Sequence, residues 1–100
     1  MKERTKRSGR FFVYIIECKD GTYYTGYTNN LKTRLIRHNK GFASKYTRPK
    51  LPVRLVWKKG FLYFRSAFMM ERRIKKLTRK QKEELVRGKR LDKVLTDARK

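Results

Sequence analysis

The chain has 100 residues, 38% of them hydrophobic, enough for one domain with a modest core and too few for two. Thirty Lys and Arg stand against eight Asp and Glu, a formal charge of +22 that points to a polyanionic partner, nucleic acid before any other. No run approaches the ~18 apolar residues of a membrane span. The lone Cys18 permits no intrachain disulfide and, with one His, no structural zinc site, so a reducing, cytoplasmic setting is expected.

MKERTKRSGR (1–10) carries charge without an apolar core and is expected to be a mobile basic arm, neither signal peptide nor anchor. FFVYIIECK (11–19) is rich in aromatic and β-branched residues and leads into Asp20-Gly21, a strong hairpin signal, with TYYTGYT (22–28) as the returning strand. Asn29 or Asn30 is placed to cap a helix over about 30–39, in which Leu31 and Leu35 lie one turn apart and Asn39 and Gly41 end the pattern. After the loop KGFASKYTRPK, Pro52 opens a third strand, VRLVW (53–57), with Val53, Leu55 and Trp57 on one face.

Beyond Gly60, Ser66 is the expected cap of a second helix reaching Lys76. Thr78 with Gln81 has capping-box spacing for a third, ending at Gly88. The last dozen residues leave open a fourth short helix on Leu91 and Leu95 or a frayed tail. The order β-β-α-β-α-α predicts an α+β fold, a small three-stranded, mainly antiparallel sheet flanked by helices. Residues 11–88 form its single domain in this reading, and 89–100 a basic tail or short helix.

Helical geometry supplies two oddities. At about 100° per residue, Arg34 and His38 fall within roughly 60° of Leu31, on the apolar side of the first helix. Taken singly, each is explained as a snorkelling arginine or a satisfied boundary histidine. Glu71 falls about 40° from Ala67, on the buried stripe that Ala67, Met70 and Ile74 define, while Arg72, Arg73, Lys75 and Lys76 take exposed positions. A carboxylate there needs either a structural ion pair or a metal. The remaining acids are scattered, which argues against a two-metal centre, and Cys18 has no base near it in sequence.

These residues fit a known pattern: from about Phe11 to Leu85 the chain resembles the small stand-alone members of the GIY-YIG nuclease superfamily. FVY, ending at Tyr14, stands at the first motif, and YTG, with Tyr24 and Gly26, at the second. The helix-one arginine falls on Arg34 in NNLKTRLIRH, and the metal-binding glutamate on Glu71 in AFMMERRIKKL. Phe12, Val13 and Thr25 replace motif residues that are mainly structural, and no asparagine follows Asn39 where larger members often have one after the glutamate helix.

The resemblance implies metal-dependent hydrolysis of a DNA phosphodiester, with one Mg²⁺ or Mn²⁺ on Glu71 and Arg34 on the phosphate. Tyr14 would orient or deprotonate the attacking water, a role that asks for cations to lower its phenol pKa, and Tyr24 and His38 would support it by hydrogen bonds to phosphate or water. DNA contacts are expected from Lys45, Arg48 and Lys50 in the loop and from Arg72, Arg73, Lys75 and Lys76 on the second helix. The expected protein is a monomer that cleaves particular DNA structures or lesions in repair or recombination, with room for a targeting partner. The alternative is a nucleic-acid-binding module, RNA- or ribosome-associated, on a nuclease fold with little activity.

Hairpin register decides whether the two motif tyrosines can share a site. A two-residue turn at Asp20-Gly21 would set Tyr14 opposite Tyr27 and put Tyr24 on the other face. A three-residue loop, Lys19-Asp20-Gly21 with Gly21 left-handed, sets Ile16 opposite Tyr24 and Tyr14 opposite Gly26, with both phenols on one face. The three-residue loop is the expectation.

Overall fold

A computed structural model of the chain describes residues 10–98; the basic arm expected over 1–10 lies outside them, Arg10 apart. The elements are β1 (Phe11–Glu17), β2 (Tyr23–Thr28), α1 (Leu31–Asn39), β3 (Arg54–Phe61), α2 (Phe64–Lys75), α3 (Arg79–Val86) and α4 (Leu91–Ala98), with a 3₁₀ turn at Arg48–Lys50. The strands form one antiparallel sheet in the order β2-β1-β3, so β1 is central and paired on both sides. This is the α+β architecture that the sequence predicts, and Leu91–Ala98 within the last dozen residues form a fourth helix, α4. No helix of the described residues is long and apolar enough to cross a membrane.

Alternation along β1 divides the interior in two. Val13 and Ile15 face one cluster, closed by Ala67 and Ile74 of α2, Leu77, Leu85 of α3, and Val94 and Leu95 of α4. Tyr14 and Ile16 face the other, with Cys18 and Val53, against which Tyr24, Leu31, Leu35, Leu51 and Leu55 pack. Helix α1 therefore lies over one face of the sheet, and α2 to α4 over the other.

Helix ends follow their local chemistry in two cases out of three. The Asn30 side chain accepts from Thr33 N at 3.0 Å and caps α1. Thr78 and Gln81 form the reciprocal capping box of α3. Ser66 caps nothing: α2 starts at Phe64, with Tyr63 in the capping position and no side-chain cap bond. What fixes that start is packing, Phe64 meeting Phe11, Tyr27 and Phe68 at ring distances of 6.0, 5.7 and 5.7 Å.

The third strand also departs from its expected course. It begins at Arg54 and runs through Gly60 to Phe61, and it is bulged: Ile15 pairs with Trp57 but Ile16 with Leu55, leaving Val56 as the extra residue. Val53 and Leu55 consequently pack with Tyr14, whereas Val56 and Trp57 pack on the opposite face, so the three residues expected to share a face do not.

Candidate active site

The hairpin closes with Gly21 N donating to Cys18 O at 2.9 Å and Cys18 N donating to Thr22 O at 2.8 Å. Gly21 has φ +87, which makes Lys19-Asp20-Gly21 the three-residue loop with a left-handed glycine. Tyr14 therefore pairs with Gly26 and Ile16 with Tyr24, and both motif phenols lie on the α1 face. Gly26 is needed where it stands: a Cβ there would lie 2.6 Å from the Tyr14 hydroxyl oxygen and 2.7 Å from its Cζ. The Tyr14 ring thus lies directly over the backbone of β2.

Helix α1 brings Arg34 and His38 to this face one turn apart. The two take different stations. Arg34 lines the cleft, whereas His38, 1% exposed, is sealed behind Tyr14 and reaches no cleft surface. The Tyr14 hydroxyl lies 3.0 Å from His38 Nε2, and on the far side of the ring Nδ1 lies 3.1 Å from Thr47 Oγ1. Tyr24 packs edge-on against the imidazole at 5.4 Å and stacks on Tyr46 at 6.0 Å.

From the opposite face comes Glu71, 7% exposed on the buried stripe of α2 beside Ala67 and Ile74. Its carboxylate meets Lys75 Nζ at 3.0 Å, an i,i+4 pair whose lysine is half exposed. The structural ion pair, one of the two expectations for Glu71, is present, with a lysine of the same helix as its partner. Tyr14, Tyr24, Gly26, Tyr27, Arg34 and Glu71 line one cleft of about 220 Å³. Because Tyr27 packs with the α2 cluster and Tyr14 with the α1 cluster, this cleft straddles the edge strand β2 and takes side chains from both faces.

Burial governs the electrostatics. It pushes the Tyr14 phenol up to about 12, and the Arg34 guanidinium beside it offsets only part of the rise, so the expectation that cations lower this pKa fails. Burial first and Arg34 second hold His38 below its ordinary 6.5, which leaves the imidazole neutral at pH 7. A neutral imidazole is in place to take a proton from a phenol that will not release it to water.

The expected nucleic-acid cations are not equivalent. Lys50 lies 3.7 Å over the Tyr46 ring and 3.6 Å from Asp20, and Arg48 donates from Nε to Gly41 O at 3.1 Å. Lys45 is exposed. Arg72 lies over Phe68 at 5.6 Å, and Lys76 is the C-cap of α2. Arg73 faces away from the cleft, into a groove with Lys59 and Arg90 beside α4, while Lys75 is committed to Glu71.

A family model described as the GIY-YIG catalytic domain matches residues 10–84. The chain belongs to the GIY-YIG family. It is 50% identical over 78 residues to a UPF0213 protein of Clostridium perfringens, covering 78% of this chain and 84% of that one. With a UPF0213 protein of Halobacterium salinarum the identity is 51% over 73 residues, 73% of this chain and 95% of the relative. The solution structure of a UPF0213 protein from Bacillus halodurans superposes with a TM-score of 0.52 at 42% identity, over 86% of this chain and 92% of that one.

GIY-YIG membership carries a nuclease-type hydrolase, a nucleic acid substrate and a general dependence on divalent metal. The donor chemistry here suits such an ion. Among the described residues no three His, Cys, Asp or Glu side chains gather; in the cleft Glu71 is the carboxylate that could hold such an ion, a hard oxygen donor of the kind Mg²⁺ takes alongside water. Sequence reasoning passed over Tyr27 and Thr47. Tyr27 sits on the opposite face from the motif tyrosines, and Thr47, ahead of Arg48-Pro49, has the local signature of a turn residue.

Proposed function

We propose that this chain is a metal-dependent endonuclease that hydrolyses DNA phosphodiester bonds, choosing structured or damaged DNA in repair or recombination. The observation that carries the reading is the meeting, in one cleft across β2, of a buried phenol backed by a neutral imidazole, an arginine and a carboxylate. No simple binding groove needs that combination. Phosphodiester hydrolysis uses each part.

Arg34 meets the scissile phosphate with its planar fork and stabilises the charge that grows on the equatorial oxygens. Tyr14, held by His38 and unobstructed because residue 26 is glycine, orients the attacking water and takes its proton. Tyr24 walls the cleft beside Tyr14. Glu71, whose Lys75 partner is half exposed, would hold a Mg²⁺ or Mn²⁺ ion. When bound, that ion supplies charge neutralisation at the phosphate and the leaving oxygen.

The test is cleavage of duplex, flapped, branched and single-stranded DNA, and of RNA, with Mg²⁺ or Mn²⁺, using Glu71→Gln as control. Glu71→Gln and chelation by EDTA are each expected to remove cleavage while DNA affinity stays near wild type. Wild-type activity in Glu71→Gln overturns the metal assignment. Salt-dependent binding without cleavage on any substrate leaves the binding-module alternative standing. Affinity should fall with salt by a slope of about −0.9 in log K for each duplex phosphate neutralised, with Lys45 and Arg48 each contributing to it.

A further inference from the structure

Thr47 is wholly buried, at 0% exposure, in a loop whose other residues are exposed or half-buried. It occupies the N-cap position of the 3₁₀ turn Arg48–Lys50, where a threonine hydroxyl ordinarily accepts from a free backbone amide. It makes no such bond. The hydroxyl points inward, 3.1 Å from His38 Nδ1, and it donates to Ser44 O at 3.4 Å. A hydroxyl has one proton. With that proton on the Ser44 carbonyl, Thr47 Oγ1 can only accept from the imidazole, so Nδ1 carries the ring hydrogen. In a neutral ring Nε2 then presents a lone pair, and the Tyr14 hydroxyl lies 3.0 Å from it. One direction gives each hydroxyl and ring hydrogen of this chain an acceptor among the described residues: Tyr14 O–H to Nε2, Nδ1–H to Thr47, Thr47 O–H to Ser44 O.

From this geometry we infer that Thr47 is a positioning residue of the hydrolytic site, locking His38 in its Nδ1–H tautomer so that Nε2 receives the Tyr14 proton. This rests on the nuclease reading above. As the water O–H bond breaks, its proton passes to the Tyr14 oxygen while the phenol's own proton moves to Nε2, and the hydroxide attacks phosphorus as the bond to the leaving sugar oxygen breaks, that oxygen taking a proton from water in the cleft. Tyr14 remains neutral throughout the exchange, and His38 holds the extra proton as imidazolium. Arg34 beside it makes that charge short-lived. The proton leaves by the reverse path, from Nε2 to the Tyr14 oxygen and from there to water in the cleft. In the other tautomer Nε2 would bear a hydrogen and point a donor at the phenol, and no acceptor would remain.

The chain has one histidine, so its ring nitrogens give unambiguous signals. Long-range ¹H–¹⁵N spectra of the full chain at pH 8 should show a pyrrole-type Nδ1 and a pyridine-type Nε2 in the wild type. Thr47→Val, which removes the acceptor and keeps the shape, should populate the Nε2–H form and lower kcat on the order of 10²-fold, the low end of general acid–base contributions. Thr47→Ser should restore both the spectrum and the rate. An Nε2–H wild type overturns the inference, as does a Thr47→Val protein with unchanged tautomer and kcat. A shifted tautomer with unchanged kcat also overturns it, by making Thr47 purely structural. Because the wild-type spectrum needs neither metal nor activity, it tests the lock even if the nuclease reading fails, and it stands if Thr47→Val does not fold.

Discussion

The two faces of the sheet are built to different standards. On the α2 side eight buried apolar residues from β1, α2, α3, α4 and the α2–α3 connection close on one another, and the polar misfit is Thr25, whose buried hydroxyl has no hydrogen-bond partner among the described residues. On the α1 side the buried apolar residues are Tyr14, Ile16, Cys18 and Val53, and the space behind them goes to His38 and Thr47. One face holds the fold; the other holds a phenol at a fixed place and a fixed protonation state. Glu71 is the exception that joins them, a carboxylate that the stable face lends to the reactive one across β2.

Substitutions on opposite faces should therefore separate activity from stability. Arg34→Ala is expected to lower turnover by on the order of 10²-fold or more with little change in melting temperature. Ile74→Ala should do the reverse, costing about 2–5 kcal/mol of stability while the folded fraction keeps its turnover. If Arg34→Ala weakens only binding, as loss of any surface lysine would, Arg34 is a packing residue and the contrast collapses.

Gly26→Ala is the substitution that should damage both properties. The new methyl would lie 2.6 Å from the Tyr14 hydroxyl oxygen, so the ring must shift from its place against His38; the expected cost is about 1–3 kcal/mol together with a loss of cleavage larger than that of an alanine elsewhere on β2. Thermal melts and single-turnover rates on the same samples would decide it.

The pH dependence of stability should carry the mark of the reactive face at both ends. His38 has a lowered pKa when folded, so its contribution is complete above the ordinary 6.5 and is lost as pH falls through the lowered value. Tyr14 has a raised one, so its contribution is complete below pH 10.0 and is lost as pH climbs toward about 12. His38→Gln should flatten the acid limb just below 6.5, and Tyr14→Phe the alkaline one. An unchanged acid limb in His38→Gln would mean that the imidazole is not buried neutral.

Smaller effects belong to the stable face and its edges. Thr25→Val removes an unpartnered buried hydroxyl and should stabilise by about 1 kcal/mol without changing turnover. Thr78→Ala should cost about 1 kcal/mol through the lost capping box of α3, again with turnover intact.

Much of this arrangement was legible from local rules. Asp20-Gly21, with Gly26 five residues on, was enough to choose the hairpin register, because only one loop length puts a glycine under Tyr14. Helical angles placed Arg34, His38 and Glu71 on buried stripes, and the structure finds all three at or behind the sheet. Local rules failed where distant packing decides. The Val56 bulge depends on how β3 meets β1, and α2 begins where Phe64 finds Phe11 and Tyr27, two residues before a serine with better capping chemistry. Thr47 was illegible for the same reason: nothing in SKYTRPK announces that its hydroxyl will reach a histidine nine residues earlier. Tyr27 was hidden by the assumption that a site lies on one face of a sheet.

The position of Tyr14 on β1 bears on how the protein comes apart. Among the described strands β1 alone has ladder hydrogen bonds on both sides, so its amides should be among the last to exchange with deuterated solvent, and those of α1 and α4 among the first. The reacting oxygen thus hangs from the slowest-opening segment of the chain, while Arg34 and Glu71 ride on helices that can loosen separately. Warming or mild denaturant should first scatter the groups around the phenol and only later move the phenol itself, so activity should fade before the sheet does and should return as soon as the helices re-dock.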